Sequence, residues 1–179
     1  MRRFELDAIT GNVLVSDYPG AFAVEVDMAI KQTVKGSILH LYSGTSFIGD
    51  VRIDIDHKNA TLNCDVEEFV KTDNRHWDFV ILDPPYQITR TDVKLNGYGI
   101  KGAISANVDR RRLIKNYLQE HTDNVLWLDQ CAPMIKGFYR KKLWLVLPGA
   151  FKNVRVLSWL QQEMKPFSLA PTKGEEKGG

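Results

Sequence analysis

The chain has 179 residues, of which 44% are hydrophobic and 26% are charged, and its formal net charge is +2. These totals fit one globular domain with a substantial core, and no stretch approaches the ~20 apolar residues that a membrane-spanning helix needs. So small a charge excludes a broadly basic surface, and any basic contact with a nucleic acid would be local. Because the first five residues, Met1-Arg2-Arg3-Phe4-Glu5, lack the apolar core of a signal peptide, we expect a cytoplasmic protein.

The N-terminal 36 residues predict a short β-rich extension. Two apolar runs, Val13-Leu14-Val15 and residues 22–26, flank the turn sequence Asp17-Tyr18-Pro19-Gly20, a pattern typical of a hairpin. The last residues, from Pro166, are polar and rich in glycine and charge, which favours a flexible tail. We therefore expect an extension at 1–36, a main domain at 37–165 and a tail at 166–179.

The main domain alternates predicted strands and helices. Strands are expected at about 37–42, 51–56, 60–62, 77–82, 124–128, 143–147 and 154–157, with helices at 66–72 and 109–120. Several strands are continuous apolar runs, which indicates strands buried on both faces. The pattern predicts an α/β fold with a mostly parallel sheet and a closing antiparallel hairpin around Pro148-Gly149.

The most informative segment is Asp83-Pro84-Pro85-Tyr86, which directly follows the apolar run at 79–82. Two prolines cannot continue a central strand, so the chain must leave the sheet in a stiff turn. This turn carries a carboxylate at one end and an aromatic ring at the other, an arrangement that suits a nucleobase amine. The tetrapeptide should arise by chance in on the order of one chain in a thousand of this length.

Glycines and acids follow the preceding predicted strands. Gly44 and Gly49 come after the first strand, where a backbone without side chains lets a ligand approach closely. Either Asp54 or Asp56 ends the second strand, a position where an acid typically takes ribose hydroxyls. Asp65 follows the third strand and is placed to accept a hydrogen bond from an adenine amine. Parallel strands bring these ends to one edge of the sheet.

In these motifs the chain resembles S-adenosylmethionine-dependent amino-methyltransferases with the Asp-Pro-Pro-Tyr motif, and among them small DNA methylases of microbes and their viruses. The resemblance covers roughly residues 37–160. It implies a Rossmann-like class I methyltransferase sheet, S-adenosylmethionine as the cofactor and DNA as the substrate. It also implies methylation of an exocyclic amine, with adenine ahead of cytosine.

The resemblance implies roles for individual residues. The segment 42–49 stands in the place of the cofactor loop, with Ser46 replacing one of its glycines. The implied cofactor-binding residues are Tyr42, Ser43, Gly44, Thr45, Gly49, Asp54 or Asp56, and Asp65. The implied catalytic residues are Asp83 and the Pro84 carbonyl, which accept from the target amine, with Pro85 and Tyr86 completing the motif. Tyr86 is implied to stack on the flipped base. Gln87 is a further candidate substrate-binding residue, and the local positive charges of Arg90, Lys101, Arg110 and Arg111 indicate contacts with the nucleic-acid backbone.

Two features depart from the pattern of the family. Only ten positions separate Gly44 from Asp54, so the helix that normally joins the first two strands must be about one turn or absent. No large recognition module follows the motif, so base selection would fall to loop 87–106, to the N-terminal hairpin, or to a partner that is a separate specificity protein or a second copy of the chain.

Two other functions stay open on the sequence alone, namely an RNA base amino-methyltransferase and a catalytically degenerate binding module with the methyltransferase fold. The Asp-Pro-Pro-Tyr motif also occurs in enzymes that methylate guanine amines of RNA, whereas the short loop after Gly44 favours the binding module. Neither the histidines nor the distant pair Cys64 and Cys131 has metal-ligand spacing, so no metal is expected.

Overall fold

The fold is that of a computed structural model, which describes residues 5–11, 22–85, 108–148 and 154–163. These residues form strands and helices in the order β1 (Glu5–Gly11), α1 (Val24–Thr33), β2 (Ile38–Leu41), β3 (Val51–Asp54), β4 (Leu62–Asn63), α2 (Val66–Thr72), β5 (Trp77–Leu82), α3 (Val108–His121), β6 (Thr122–Asp129), β7 (Phe138–Pro148) and β8 (Arg155–Gln162). None of the described helices is long and apolar enough to cross a membrane.

The eight described strands form one mixed sheet with the order β1-β7-β8-β6-β5-β2-β3-β4. Neighbouring strands are parallel except at β8, which is antiparallel to both β6 and β7. The chain builds outward from β2 to β3 and β4, then returns to β5 on the other side of β2. This reversal of strand order is where doubly wound α/β sheets bind ligands, at the carboxyl ends of the strands. The prediction of a mostly parallel α/β sheet with an antiparallel hairpin is confirmed.

Helices cover both faces of the sheet, so the core has two layers. On one face, α2 and α3 pack against a cluster that includes Leu39 and Leu41 of β2. On the other face, α1 contributes Val26 and Ile30 to a cluster that includes Phe79 of β5. The central strands are therefore buried on both sides, as their continuous apolar runs predict.

His40 is a polar side chain inside this core. Its ring is fully buried and stacks on Phe22 at a centroid distance of 5.5 Å, and its Nδ1 lies 3.0 Å from the Ile48 carbonyl. Burial lowers the pKa of His40 to about 4, although the hydrogen bond to Ile48 opposes the shift. Since a carbonyl only accepts, Nδ1 carries the proton of the neutral ring, and the buried Nε2 has no hydrogen-bond partner.

The predicted N-terminal hairpin is wrong where the structure describes it. Residues 22–26 do not form its second strand, because helix α1 begins at Val24. The alternation of Val24-Glu25-Val26 imitates a strand, but Val26 and Ile30 lie one helical turn apart and are both buried. The turn at 17–20 and the first strand of the hairpin lie outside the described residues.

Strand β1 pairs in parallel with β7, with Glu5 opposite Lys142, and so extends the same sheet. The division at residue 36 stays a prediction. Elsewhere the predicted elements are confirmed, α2 and β5 with the predicted bounds and α3 with one further residue at each end. Residues 42–50, which join β2 to β3, contain no helix, as the short spacing predicts. Loop 87–106 and the tail lie outside the described residues.

Candidate functional site

The chain turns sharply as it leaves β2. Tyr42 has φ 60°, and Gly44 and Gly49 have φ 49° and 112°, values in the left-handed region that a residue with a Cβ rarely adopts. The turn is held by backbone hydrogen bonds, from the Ser43 amide to the Ile53 carbonyl at 3.0 Å and from the Ser46 amide to the Ser43 carbonyl at 2.9 Å. The carboxylate of Asp54, which lies outside the loop, accepts a further hydrogen bond from the Gly44 amide. The loop is thus a compact, internally bonded turn at the carboxyl end of β2.

Asp54, the last residue of β3, organises this loop. Its carboxylate is 5% exposed and accepts from the Gly44 amide at 2.8 Å. Its other oxygen accepts from the amides of Asp56 and His57 at 3.4 and 3.2 Å. The Asp56 side chain, in contrast, is exposed. Of the two acids that the sequence left open for ribose, Asp54 is therefore committed to the loop backbone, while Asp56 presents its carboxylate to solvent.

Asn59 is a loop-supporting residue that sequence reasoning missed. Its side-chain amide donates to the Thr45 carbonyl at 2.8 Å, and its own carbonyl accepts from Arg52 Nε at 2.9 Å. A single polar residue in a loop gives no sequence signal for such a role. The contact places Thr45, a predicted cofactor residue, against the turn that follows β3.

A second group of side chains meets beside the start of α2. Asp65 is the N-cap of this helix and accepts from the Glu67 amide at 2.7 Å. Burial raises the pKa of the Tyr42 hydroxyl well above its ordinary value, with Asp65 and Glu67 adding to the shift and Arg110 opposing it. Arg110 forms an ion pair with Glu67. The predicted cofactor residues Tyr42 and Asp65 are thus brought together, and Arg110 lies on their side of the site.

The Asp83-Pro84-Pro85 segment begins beside the loop after β2. Strands β2 and β5 are paired, with Leu41 opposite Leu82, so Tyr42 and Asp83 leave the sheet from adjacent strands at the same level. Pro84 is buried, and Asp83 and Pro85 are half-buried. This is the point at which the strand order reverses. The two predicted halves of the site therefore start side by side.

Four of the predicted site residues lie outside the described part of the chain, namely Tyr86, Gln87, Arg90 and Lys101. They stay predictions. The three arginines at the start of α3 have different partners. Arg110 pairs with Glu67, and Arg111 faces Asp129 at the end of β6. Arg112 pairs with Asp109 at 3.3 Å. The Arg112 side chain is 68% exposed, which leaves it as the member of the run that faces solvent.

Asp129, at the carboxyl end of β6, is a buried acid that sequence reasoning missed. It is 1% exposed and accepts from the Gln130 amide at 2.7 Å. Burial raises the pKa of the Asp129 carboxyl, while the Gln130 amide and the guanidinium of Arg111 oppose this. The available signal was its position: like Asp54, it is an acid that ends an apolar strand.

Among the described residues, no group of three or more His, Cys, Asp and Glu side chains could hold a metal ion. The edge of the sheet instead offers backbone turns, carboxylates and aromatic rings. Such groups suit an uncharged or cationic organic ligand with hydroxyl and amine donors.

Neither a protein-family model nor a curated protein matches the chain. Among solved structures, the chain is similar to a proposed RNA methyltransferase from Pyrococcus horikoshii, with 14% identity, a TM-score of 0.44 and coverage of 76% of this chain and 79% of that one. It is also similar to a protein from Thermoplasma acidophilum, with 10% identity, a TM-score of 0.39 and coverage of 78% and 83%. Likenesses this distant carry no conclusion about activity or substrate.

Proposed function

We propose that the protein transfers a methyl group from S-adenosylmethionine to the exocyclic amine of a nucleobase, with adenine in DNA as the favoured substrate. One observation carries the proposal. The Asp83-Pro84-Pro85 segment and the loop that begins at Tyr42 leave paired strands at the reversal point of the sheet. A donor site and an acceptor site that must share one methyl group would need this adjacency.

The residues around the β2 loop fit the methyl donor. The Ser43 hydroxyl is buried without a hydrogen-bond partner, which leaves one polar group of the loop for a ligand. Asp56 would take the ribose hydroxyls, and Asp65 with Tyr42 would hold the adenine ring. Asp54 would act indirectly by fixing the loop through Gly44. When bound, S-adenosylmethionine supplies a methyl group already activated by its sulfonium.

The Asp-Pro-Pro-Tyr segment would prepare the amine. The lone pair of an exocyclic amine is delocalised into the ring, which makes the nitrogen a poor nucleophile. Asp83 and the carbonyl of Pro84 would accept its two hydrogens and draw the nitrogen toward a tetrahedral geometry. As the nitrogen–carbon bond formed and the carbon–sulfur bond of the sulfonium broke, the amine would lose one proton, which the Asp83 carboxylate would accept. Tyr86 would stack on the extruded base.

DNA is proposed ahead of RNA on the resemblance of the motifs, and RNA is the alternative polymer. The exposed Arg112 is a candidate phosphate contact near the site. A separate specificity protein or a second copy of the chain would complete sequence recognition. A binding module without activity is the second candidate function, because the nine residues 42–50 provide a smaller cofactor cover than a full helix would.

Calorimetry with S-adenosylmethionine and its demethylated product tests the cofactor, and labelled methyl transfer to DNA, tRNA and rRNA tests the polymer. Asp83→Ala should abolish transfer and leave cofactor binding nearly unchanged, since Asp83 faces the amine. Asp123→Ala is the matched control, because this exposed acid lies at the opposite end of neighbouring β6. Absence of cofactor binding at millimolar concentration would contradict the proposed methyltransferase activity. Methyl transfer by Asp83→Ala would contradict the proposed catalytic role of Asp83.

A further inference from the structure

Arg111 and Asp129 form an incompletely bonded polar pair beside the Asp83 turn. Asp129 Oδ2 and Arg111 Nε are both buried and have no hydrogen-bond partner. The nearest approach between the two side chains is 3.9 Å, from Arg111 Nη2 to Asp129 Oδ2, which is too long for a hydrogen bond. The guanidinium instead donates to the sulfur of Cys131 at 3.3 Å, a weak acceptor.

The pair is unusual because native proteins bond nearly all buried polar groups. Within the described part of the chain, Arg111 uses one of its five N–H groups in a hydrogen bond. The Trp127 indole N–H is near enough to Asp129 to lower the pKa of the carboxyl, yet makes no hydrogen bond of ordinary geometry. Asp129 thus has nearby donors that balance its charge, whereas Arg111 has N–H groups that make no hydrogen bond to a described residue.

The pair lies at the carboxyl end of the strand next to the one that Asp83 follows. Leu82 of β5 is paired with Trp127 of β6, so Asp83, which follows β5, and Asp129, which ends β6, both lie within two positions of this pair. Neighbouring strands lie roughly 4.8 Å apart, which is less than the width of a nucleobase. Arg111 is in the first turn of α3 and reaches the same edge, with 26% of its side chain exposed. A base whose amine lay at Asp83 would bring its ring edge toward Arg111.

Arginine can only donate, and it keeps its charge at every ordinary pH. A ring edge that faces it must therefore offer an acceptor. Adenine has an acceptor, N1, directly beside its amine, and cytosine has N3 in the same position. Guanine has an N–H on one side of its amine and the acceptor N3 on the other, so only the side with N3 could accept from Arg111. The chemistry of Arg111 thus selects an amine flanked by a ring nitrogen that accepts.

We propose that Arg111 determines base specificity by donating to the ring nitrogen beside the target amine, N1 when the base is adenine. Asp129 is a positioning residue, which holds the guanidinium at the edge of the site through its charge. This inference rests on the proposed function, and it adds a residue of helix α3 to the reading of the base.

The test is a cycle that combines a protein variant with a base analogue. An oligonucleotide that accepts methyl groups is prepared with adenine, 1-deazaadenine or 7-deazaadenine at the target. For the unmodified protein, 1-deazaadenine should lower kcat/KM by about tenfold or more, because the acceptor is missing, and 7-deazaadenine should not. Arg111→Met should show the same loss with adenine and no further loss with 1-deazaadenine.

Arg111→Lys, which keeps the charge, serves as the second variant and should recover part of the activity with adenine only. Asp129→Asn should lower kcat/KM only when Arg111 is present. Lys31→Met is the matched control, since this exposed cation lies on α1, which packs on the opposite face of the sheet from α3, and kcat/KM should change less than twofold. Equal losses for Arg111→Met on adenine and on 1-deazaadenine would overturn the inference alone. Absence of transfer to any base would overturn the proposed function with it.

Discussion

The buried imidazole of His40 should make the protein less stable as the pH falls from about 6.5 to 4. Burial lowers the pKa of His40 from 6.5 to about 4, so the folded protein binds fewer protons than the unfolded chain in this window. Stability is therefore lost as the pH decreases, and the loss is complete below the folded pKa. Since one pKa unit corresponds to about 1.4 kcal/mol, the full loss is about 3 kcal/mol. Between pH 7.5 and 5.0 it is about 2 kcal/mol.

The charges around His40 do not remove this effect. Arg52 also lowers the pKa of His40, whereas Asp54 and Asp27 raise it, and the net direction is down. Asp78 adds a pH dependence at the other end of the sheet. The Ser37 amide and hydroxyl lower the pKa of that carboxyl below its ordinary 3.8, so its contribution is lost only below the His40 window.

Urea unfolding at pH 7.5 and 5.0 measures the difference in free energy of unfolding. His40→Leu removes the titrating ring, so its free energy of unfolding should depend on pH less than that of the unmodified protein, by about 2 kcal/mol across this range. Ile114→Val is the control, because it changes a buried side chain that cannot titrate, and it should keep the original pH dependence. If the free energy of unfolding fell equally between pH 7.5 and 5.0 in His40→Leu and in the unmodified protein, the reasoning would be refuted.

Two further pairs of substitutions test the local structure. Gly36→Ala should lower the free energy of unfolding by about 2 kcal/mol in urea titrations, because φ is 77° and a Cβ would overlap the Asp78 carboxyl. Gly137→Ala, with φ 81° and no atom within 4 Å of the added Cβ, isolates the backbone strain, and an equal loss in both variants would contradict the overlap. Asp54→Asn should weaken binding of demethylated cofactor at least tenfold in calorimetry by loosening the β2 loop, and should also lower the unfolding free energy. Asp56→Asn should weaken binding without lowering stability; a stability loss equal to that of Asp54→Asn would contradict the division of roles.

Sequence patterns located most of the sheet because its signals are local. Strand β5 is an apolar run closed by two prolines, and α2 begins at an acid whose carboxylate caps the helix. Helix α1 was missed because Val24-Glu25-Val26 alternates with a period of two, and only packing beneath the sheet selects the helical pairing of Val26 with Ile30.

The candidate site was predicted in its components more than in its contacts. The sequence shows acids at strand ends. It does not show that both carboxylate oxygens of Asp54 accept hydrogen bonds from backbone amides while the Asp56 side chain stays exposed. Such choices depend on hydrogen bonds between residues ten positions apart. The proximity of Arg111 to Asp129 is likewise not visible in the sequence, since α3 and the end of β6 meet only in three dimensions.

Strand β1 has a consequence for the order in which the chain folds. Its partner is β7, and Lys142 of that strand also forms ion pairs with the carboxylates of Glu5 and Asp7 at 3.3 and 3.6 Å. Because Glu5 and Lys142 are 137 positions apart, β1 waits until the intervening chain has been synthesised before its hydrogen bonds to β7 can form. Pairings so distant in sequence close late and slowly. We expect β1 to dock late during synthesis, onto a sheet whose edge between β2 and β5, where the candidate site lies, has already formed.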